Sequence, residues 1–337
     1  MKRLRVGVIG TGALGRHHTR LYKECKDADI IGIYDQNQET AARVSQEFNV
    51  PAYETIRELT EEVDALSIAV PTDLHFECAS QLLNIGKHIL IEKPITSTSP
   101  EGRQLIELAN TNEVVIHVGH VENFNPVITY LRSKLTSPLF MEAHRLATFP
   151  PSRLGLKPRG TEVGVVHDLM IHDIDLILDL VPSTIVQIDA VGMPVLSDLE
   201  DIANARLTFA NGCVANITAS RISPEFMRKI RVFQPDTYIS LDYGAQCGEI
   251  FTKGSTGIVR EAVPIESSNA LKVELEDFVN CVLEAQRTGS APKLGVSGER
   301  ALGALEIADE IVEKIRTHLG KHDQLAEMIA STGFLDR

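Results

Sequence analysis

Residues 165–175 read VVHDLMIHDID and place His167, Asp168, His172, Asp173 and Asp175 in one short run. Imidazoles and carboxylates at this density can bind a metal, move protons or edge a helix with polarity. On an α-helix Asp168, His172 and Asp175 fall at i, i+4 and i+7 on one face, while His167 and Asp173 point elsewhere. A metal centre needs deprotonated donors converging from at least three directions. No further His/Asp cluster completes one, so no metal is expected, and the H-D…H-D look of a metal phosphohydrolase lacks support for the same reason. Acid/base chemistry remains, with a solvated polar edge as the plain alternative. His is suited to proton transfer because its ordinary pKa lies near neutrality.

The first half of the chain says what such a group would serve. Residues 4–9, LRVGVI, form an apolar strand, followed by GTGALG, with Gly10, Gly12 and Gly15 in G-x-G-x-x-G spacing. A helical run follows, then a second strand, DIIGIYD, ending at Asp35. Gly10 permits the tight turn, Gly12 admits a pyrophosphate to the backbone, and Gly15 lets helix pack on strand; Thr11, Ala13 and Leu14 fill the loop between them. The free N–H groups at the helix start attract phosphate. Asp35, about 20 residues beyond the glycines, can accept hydrogen bonds from ribose hydroxyls and would repel a 2′-phosphate. Gln36, Asn37 and Gln38 follow with no Arg or Lys, so NAD is expected over NADP.

Strands continue to alternate with helices: DALSIAV, KHILIE and EVVIHVG follow in turn, which implies a doubly wound parallel sheet closing near Gly119–Glu122. Loops at the strand C-terminal ends line the crevice of such a sheet. Here they carry Pro71, Thr72 and His75 in VPTDLH, then Glu92–Lys93–Pro94, then His120, Asn123 and Asn125 in GHVENFNP. Beyond Pro126 the pattern changes to strands near 140–148, 184–193, 201–210, 212–221, 227–234, 237–243 and 249–253, joined mostly by short turns. These read as an open, largely antiparallel sheet. The fold class is therefore α/β plus α+β. Residues 1–122 form a Rossmann NAD(P)-binding domain, and 123–337 a substrate-binding and oligomerisation domain with helices on one sheet face.

GTGALG, VPTDLH, EKP and G-H-x-x-x-F-N-P, in this order and spacing, resemble the glucose–fructose oxidoreductase / inositol dehydrogenase family, Gfo/Idh/MocA. Many members carry an Arg before F-N-P where this chain has Asn123, which leaves open any contact that Arg would make. Members commonly carry D-x-x-x-H-x-x-D on the helix entering the second domain, matched here by Asp168, His172 and Asp175. With Lys93 of EKP, the resemblance implies a Lys–Asp–His constellation facing the nicotinamide. Oxidising a secondary alcohol sends a hydride to the nicotinamide and a proton to a base. His172 or Lys93 can be that base, the other stabilising the oxygen, with Asp168 orienting them. His75 and His120 lie where cofactor or substrate sits, and His117 and His144 read as core.

Residues 143–161, AHRLATFPPSRLGLKPRGT, hold Arg145, Arg153, Lys157 and Arg159 without an acid, a cationic island in a chain of net charge -13. Arg153 and Arg159 can clamp an anionic substrate such as a nucleotide-linked sugar, or this is a solvated loop. PPSRLGLKPRG followed by VVHDLMIHDID is similar to bacterial family members acting on UDP-N-acetylglucosamine at its 3-hydroxyl. Two alternatives stay open: a dehydrogenase or ketoreductase of a free sugar or inositol, and a non-catalytic NAD-binding redox sensor. Net charge argues against a nucleic-acid partner, no apolar run reaches a membrane span, and five scattered cysteines without a C-x-x-C pair fit a cytoplasmic protein. An open sheet leaves a face that another subunit can cover, so a homodimer or homotetramer is expected.

Overall fold

In the computed structural model the described residues are 3–151, 163–289 and 296–320. They fall into two compact units. One is the chain through Phe124 with Asn269–Gly303, and the other is Asn125–Ser268 with the chain from Ala304 onward. Arg153, Lys157 and Arg159, and the segment 321–337, lie outside the described residues.

In the first unit β1 (Leu4–Ile9), α1 (Ala13–Glu24), β2 (Ala28–Tyr34), α2 (Gln38–Phe48), α3 (Ile56–Glu62), β3 (Ala65–Ile68), α4 (His75–Asn84), β4 (His88–Glu92), α5 (Ser99–Thr111) and β5 (Ile116–Gly119) alternate as the sequence implies. The sheet is wholly parallel, in the order β2-β1-β3-β4-β5. Strands β3 and β5 are buried along their whole length, as parallel strands covered on both faces must be. Local signals set the helix ends. Asn37 caps α2 through the Thr40 N–H, and Asn49 closes it at a φ of 50°. Capping boxes, Thr55 with Glu58 and Thr98 with Glu101, open α3 and α5. Strand order reverses between β1 and β3, which leaves a crevice at their C-terminal ends.

The second unit begins with α6 (Pro126–Lys134). The Asn125 side chain accepts from the Val127 N–H, and Pro126 occupies the first turn, where no N–H is needed. Then come β6 (Phe140–Leu146), α7 (Ile171–Leu180), β7 (Ile185–Met193), β8 (Ile202–Phe209), β9 (Val214–Ser220), β10 (Met227–Gln234), β11 (Thr237–Asp242), β12 (Cys247–Gly254) and β13 (Gly257–Ala262). They make an eight-stranded sheet, β13-β12-β11-β10-β6-β9-β8-β7, antiparallel except for the β6–β9 pair. Strand β13 was not expected; the turn between Gly254 and Gly257 folds it back as an edge strand exposed throughout. Along β6, Met141, Ala143 and Arg145 point inward while Phe140, Glu142 and His144 are partly exposed.

Arg145 is thus not part of a surface cationic island. It is 2% exposed, and its guanidinium holds Asp173 of α7 at 2.9 and 3.3 Å. The Tyr243 hydroxyl donates to the same carboxylate at 2.5 Å. A charge this deep is tolerated only when paired and hydrogen-bonded, so the triad fixes α7 against β6.

The last helices are α8 (Ala270–Thr288) and α9 (Gly298–Gly320). Leu275, Phe278, Val279 and Val282 of α8 share one core with Leu4, Val6, Tyr22 and Val115. This packing explains why Asn269–Gly303 groups with the first unit, although the expected boundary at 122/123 assigned it to the second. One residue of that helix sits at odds with its surroundings. Glu274 is fully buried, and neither carboxyl oxygen has a hydrogen-bond partner among the described residues. Burial first, then Glu92, Asp277 and Glu122 nearby, push its proton affinity well above the ordinary carboxyl range. A carboxyl raised in the folded state destabilises once pH exceeds the unfolded pKa, because only the unfolded chain then releases the proton. Glu274→Met should therefore raise stability at pH 7 by about 1–3 kcal/mol. The gain should shrink as pH falls towards the ordinary glutamate range, which urea unfolding at several pH values will measure.

Candidate active site

The crevice of the first sheet is a cleft of about 750 Å³. Its walls come from the ends of three strands: Ile9 and Gly10 after β1, Tyr34 and Asp35 after β2, and Ala69 and Val70 after β3. Gly12 and Pro71 also line it. Gly10 has a φ of +85°, and a Cβ on Gly15 would overlap the Gly10 carbonyl oxygen, so the turn and the close approach of α1 both require glycine. A Cβ on Gly12 would meet nothing within 4 Å, which leaves room for a ligand against the backbone. The first turn of α1 has no acidic residue and no side-chain cap, so its N–H groups are open to an anion.

Asp35 is held in place before any ligand arrives. One carboxylate oxygen accepts from the Thr11 N–H at 2.6 Å and the Thr11 hydroxyl at 2.9 Å, the other from the Asn37 N–H at 2.8 Å. Thr11 is buried, and Leu14, beside Ala13 at the start of α1, is 38% exposed. Cleft, open glycine, unopposed helix start and fixed carboxylate together fit a dinucleotide with a free ribose. Sequence reasoning missed the far wall, Leu74, Glu77, Cys78 and Gln81. The i, i+4, i+7 spacing of Leu74, Cys78 and Gln81 was the available signal.

The loops after β3, β4 and β5 behave less uniformly. Thr72 opens a short 3-10 turn. His75, expected on the cofactor, is buried, with Nδ1 2.9 Å from the Pro94 carbonyl oxygen and Nε2 3.1 Å from that of Val70. It ties the β3 loop to the turn after β4. Glu92 is buried as well, facing His18 Nε2 at 3.1 Å. Burial pushes the Glu92 carboxyl up, but the His18 hydrogen bond and the charge on Lys93 bring it below the ordinary range. Lys93 follows, half-buried at the strand end, joined to Pro94 by a cis bond. His120 is buried after β5. Asn123 donates to the His120 carbonyl at 3.1 Å and accepts from Arg300 at 2.6 Å, so its amide holds the loop.

In the second unit the helix of the HD run does not start as a regular α-helix. Val166–Met170 winds as a π turn that runs directly into α7. Asp168 therefore lies in the widened turn rather than on the single regular face expected, while His172 and Asp175 follow within α7. Asp168 and His172 are half-buried and Asp175 is fully buried. His167 turns away to Asp309 at 2.8 Å, and Asp173 is held by Arg145. Glu200, missed from sequence, anchors the helix start: its carbonyl accepts from the Val165 N–H at 2.8 Å, and its carboxylate accepts from the Val166 N–H at 3.4 Å. Arg221 bonds the Val163 carbonyl at 2.8 Å and Asp201 at 2.7 Å, bracing the approach to that helix. Among the described residues no group of His, Cys, Asp or Glu is arranged to hold a metal.

Residues 4–120 match an oxidoreductase family with an NAD-binding Rossmann fold, and residues 134–236 match the C-terminal domain of the same family. UDP-N-acetylglucosamine 3-dehydrogenase of Acidithiobacillus ferrooxidans is 39% identical over 90% of this chain and 96% of its own. Its crystal structure superposes with a TM-score of 0.85 over 94% of this chain and 98% of its own, at 36% identity. The NAD(+)-dependent scyllo-inositol 2-dehydrogenase of Bacillus subtilis is 25% identical over 86% of this chain and 88% of its own. A levoglucosan dehydrogenase in complex with NADH and levoglucosan shares the fold, with a TM-score of 0.82 at 20% identity, covering 94% and 98% of the two chains. With its Rossmann cleft, EKP turn and eight-stranded second sheet, this chain belongs to the Gfo/Idh/MocA family of NAD-binding oxidoreductases.

Proposed function

We propose that the protein oxidises the 3-hydroxyl of UDP-N-acetylglucosamine, with NAD as hydride acceptor. The observation that carries this reading is the 39% identity to a dehydrogenase of that sugar nucleotide along nearly the whole of both chains. The Arg- and Lys-bearing stretch 153–159 fits it chemically, since guanidinium and ammonium groups suit a diphosphate. NAD, when bound, supplies the electrophilic nicotinamide carbon. The chain supplies the rest. Open N–H groups of α1 hold the pyrophosphate, and Asp35 accepts from the ribose hydroxyls. Lys93 and His172 divide two roles, one accepting the hydroxyl proton and the other holding the developing oxyanion, with Asp168 orienting the imidazole. A sensor of redox state would need no such proton acceptor, and that disfavours the non-catalytic reading.

The second sheet supports self-association. Phe140, Phe233, Tyr238 and Phe251 lie side by side across four strands, ring centroids 5.6, 4.6 and 5.1 Å apart, on the face opposite the buried Met141, Val232 and Ile239. We read this half-exposed aromatic rung as the surface covered in a homodimer or homotetramer. Five free cysteines, three of them buried, fit a reducing compartment, the cytoplasm.

Four measurements test these readings. Purified protein with NAD should develop NADH absorbance with UDP-N-acetylglucosamine and not with inositol or glucose. Replacing Arg153 and Arg159 by Ala should raise the sugar-nucleotide KM about 10- to 100-fold with kcat kept. Signal with the free polyols alone refutes the substrate assignment, and an unchanged KM refutes the role of Arg153 and Arg159 as a clamp. Asp35→Ser should weaken kcat/KM for NAD about 10- to 100-fold while narrowing the preference against NADP, read from the ratio of the two cofactors. Light scattering should give the mass of a dimer or larger for the native chain, and Phe233→Glu should reduce it.

A further inference from the structure

Two buried histidines bracket the turn that carries Lys93, and nothing in the chemistry above requires either of them. His18 lies on α1, one turn beyond Gly15, and is 0% exposed. Its Nε2 stands 3.1 Å from Glu92 Oε1, the residue immediately before Lys93. A carboxylate can only accept, so Nε2 carries the hydrogen. His18 Nδ1 is buried with no hydrogen-bond partner among the described residues, so Glu92 is the partner that holds the ring through Nε2. The other Glu92 oxygen lies 2.9 Å from where a Cβ on Gly119 would stand, so glycine there leaves the carboxylate its space. On the far side of Lys93, the Pro94 carbonyl is taken by His75 Nδ1 at 2.9 Å. Lys93 therefore projects from a three-residue turn pinned at both ends from inside the protein.

We propose that His18 is a positioning residue for Lys93. By fixing the Glu92 carboxylate from the helix that follows the glycine loop, it sets the direction of the Lys93 side chain and keeps a negative charge beside it. The same helix that presents its N-terminus to the cofactor phosphates thereby fixes the proton-handling turn, so both are set by one rigid body. This inference rests on the reading of Lys93 as a catalytic group.

The experiment compares His18→Gln, His18→Asn and Lys93→Met in the full chain, with NAD and UDP-N-acetylglucosamine as substrates. A glutamine amide places an N–H where Nε2 lies, whereas an asparagine amide reproduces only the Nδ1 position. His18→Gln should keep kcat within about threefold, and His18→Asn should lose about 10- to 100-fold in kcat, the scale of a small misplacement of a reacting group. KM for NAD and the thermal midpoint should be alike in the two. Equal kcat in both variants overturns the inference, and so does a loss in His18→Asn that merely tracks a lowered thermal midpoint. Lys93→Met distinguishes the two levels of the argument. If it retains wild-type kcat, the catalytic reading of Lys93 fails and this inference with it. If it is inactive while His18→Asn is fully active, this inference alone fails.

Discussion

Parallel pairing of five strands is the constraint on which the first unit depends. In such a sheet every strand ends at the same edge, so Gly10, Asp35, Val70, Glu92 and Gly119 are brought to one rim by topology before any side chain acts. The reversal of order at β1 then opens that rim into a cleft rather than a closed surface. What remains for individual residues is refinement: a glycine where backbone meets backbone, and a carboxylate fixed by Thr11. This economy suits an NAD-binding domain, because a dinucleotide needs one cradle for phosphate and one acceptor for ribose, and adjacent strand ends offer groups of both kinds.

Inside each unit, charged groups are placed by their partners. Arg145 and Asp173 with Tyr243, and Arg221 with Asp201, are ion pairs buried almost completely in the second unit. Such pairs contribute little net stability over apolar packing, yet breaking one leaves a charge uncompensated, so they specify one arrangement against its neighbours. Both converge on the segment that leads into and forms the HD helix. The π turn at its start is therefore held at a defined place, with Glu200 engaging its first N–H groups. Glu274 is the contrasting case: lacking a hydrogen-bond partner among the described residues, it is tolerated because a neutral carboxyl costs far less to bury than an ionised one.

The alternating elements and the glycine loop were legible in the sequence because apolar period and turn chemistry are local properties. The same holds for the place of Asp35 in the cleft wall, which follows from its distance along the chain to the glycines. The return of α8 to the first unit was not legible, since an amphipathic helix does not record which core its apolar face meets. The destinations of His75, Glu92 and Arg145 were hidden for a related reason. A polar residue near a strand end reads as a ligand contact, and only the fold reveals a carbonyl or carboxylate already within reach. The π turn was invisible because the H/D spacing fits an ordinary helix equally well. The edge strand β13 lacked an apolar face to announce it, being exposed along its length.

This division between local and long-range information bears on how specificity can reside in such a fold. Relatives with different substrates retain the same architecture at low identity, so the architecture cannot itself select the sugar. Nor can the cofactor cleft, whose requirements are the same whichever alcohol is oxidised. Selection must come from residues that no core position constrains. In the sequence the stretch 153–159 carries three cations and no acid, and lies shortly before the HD helix. A loop in general can change its charge at little cost to the elements it connects. A diphosphate substrate rewards such a change more than a free polyol does, because each guanidinium gains an anionic partner.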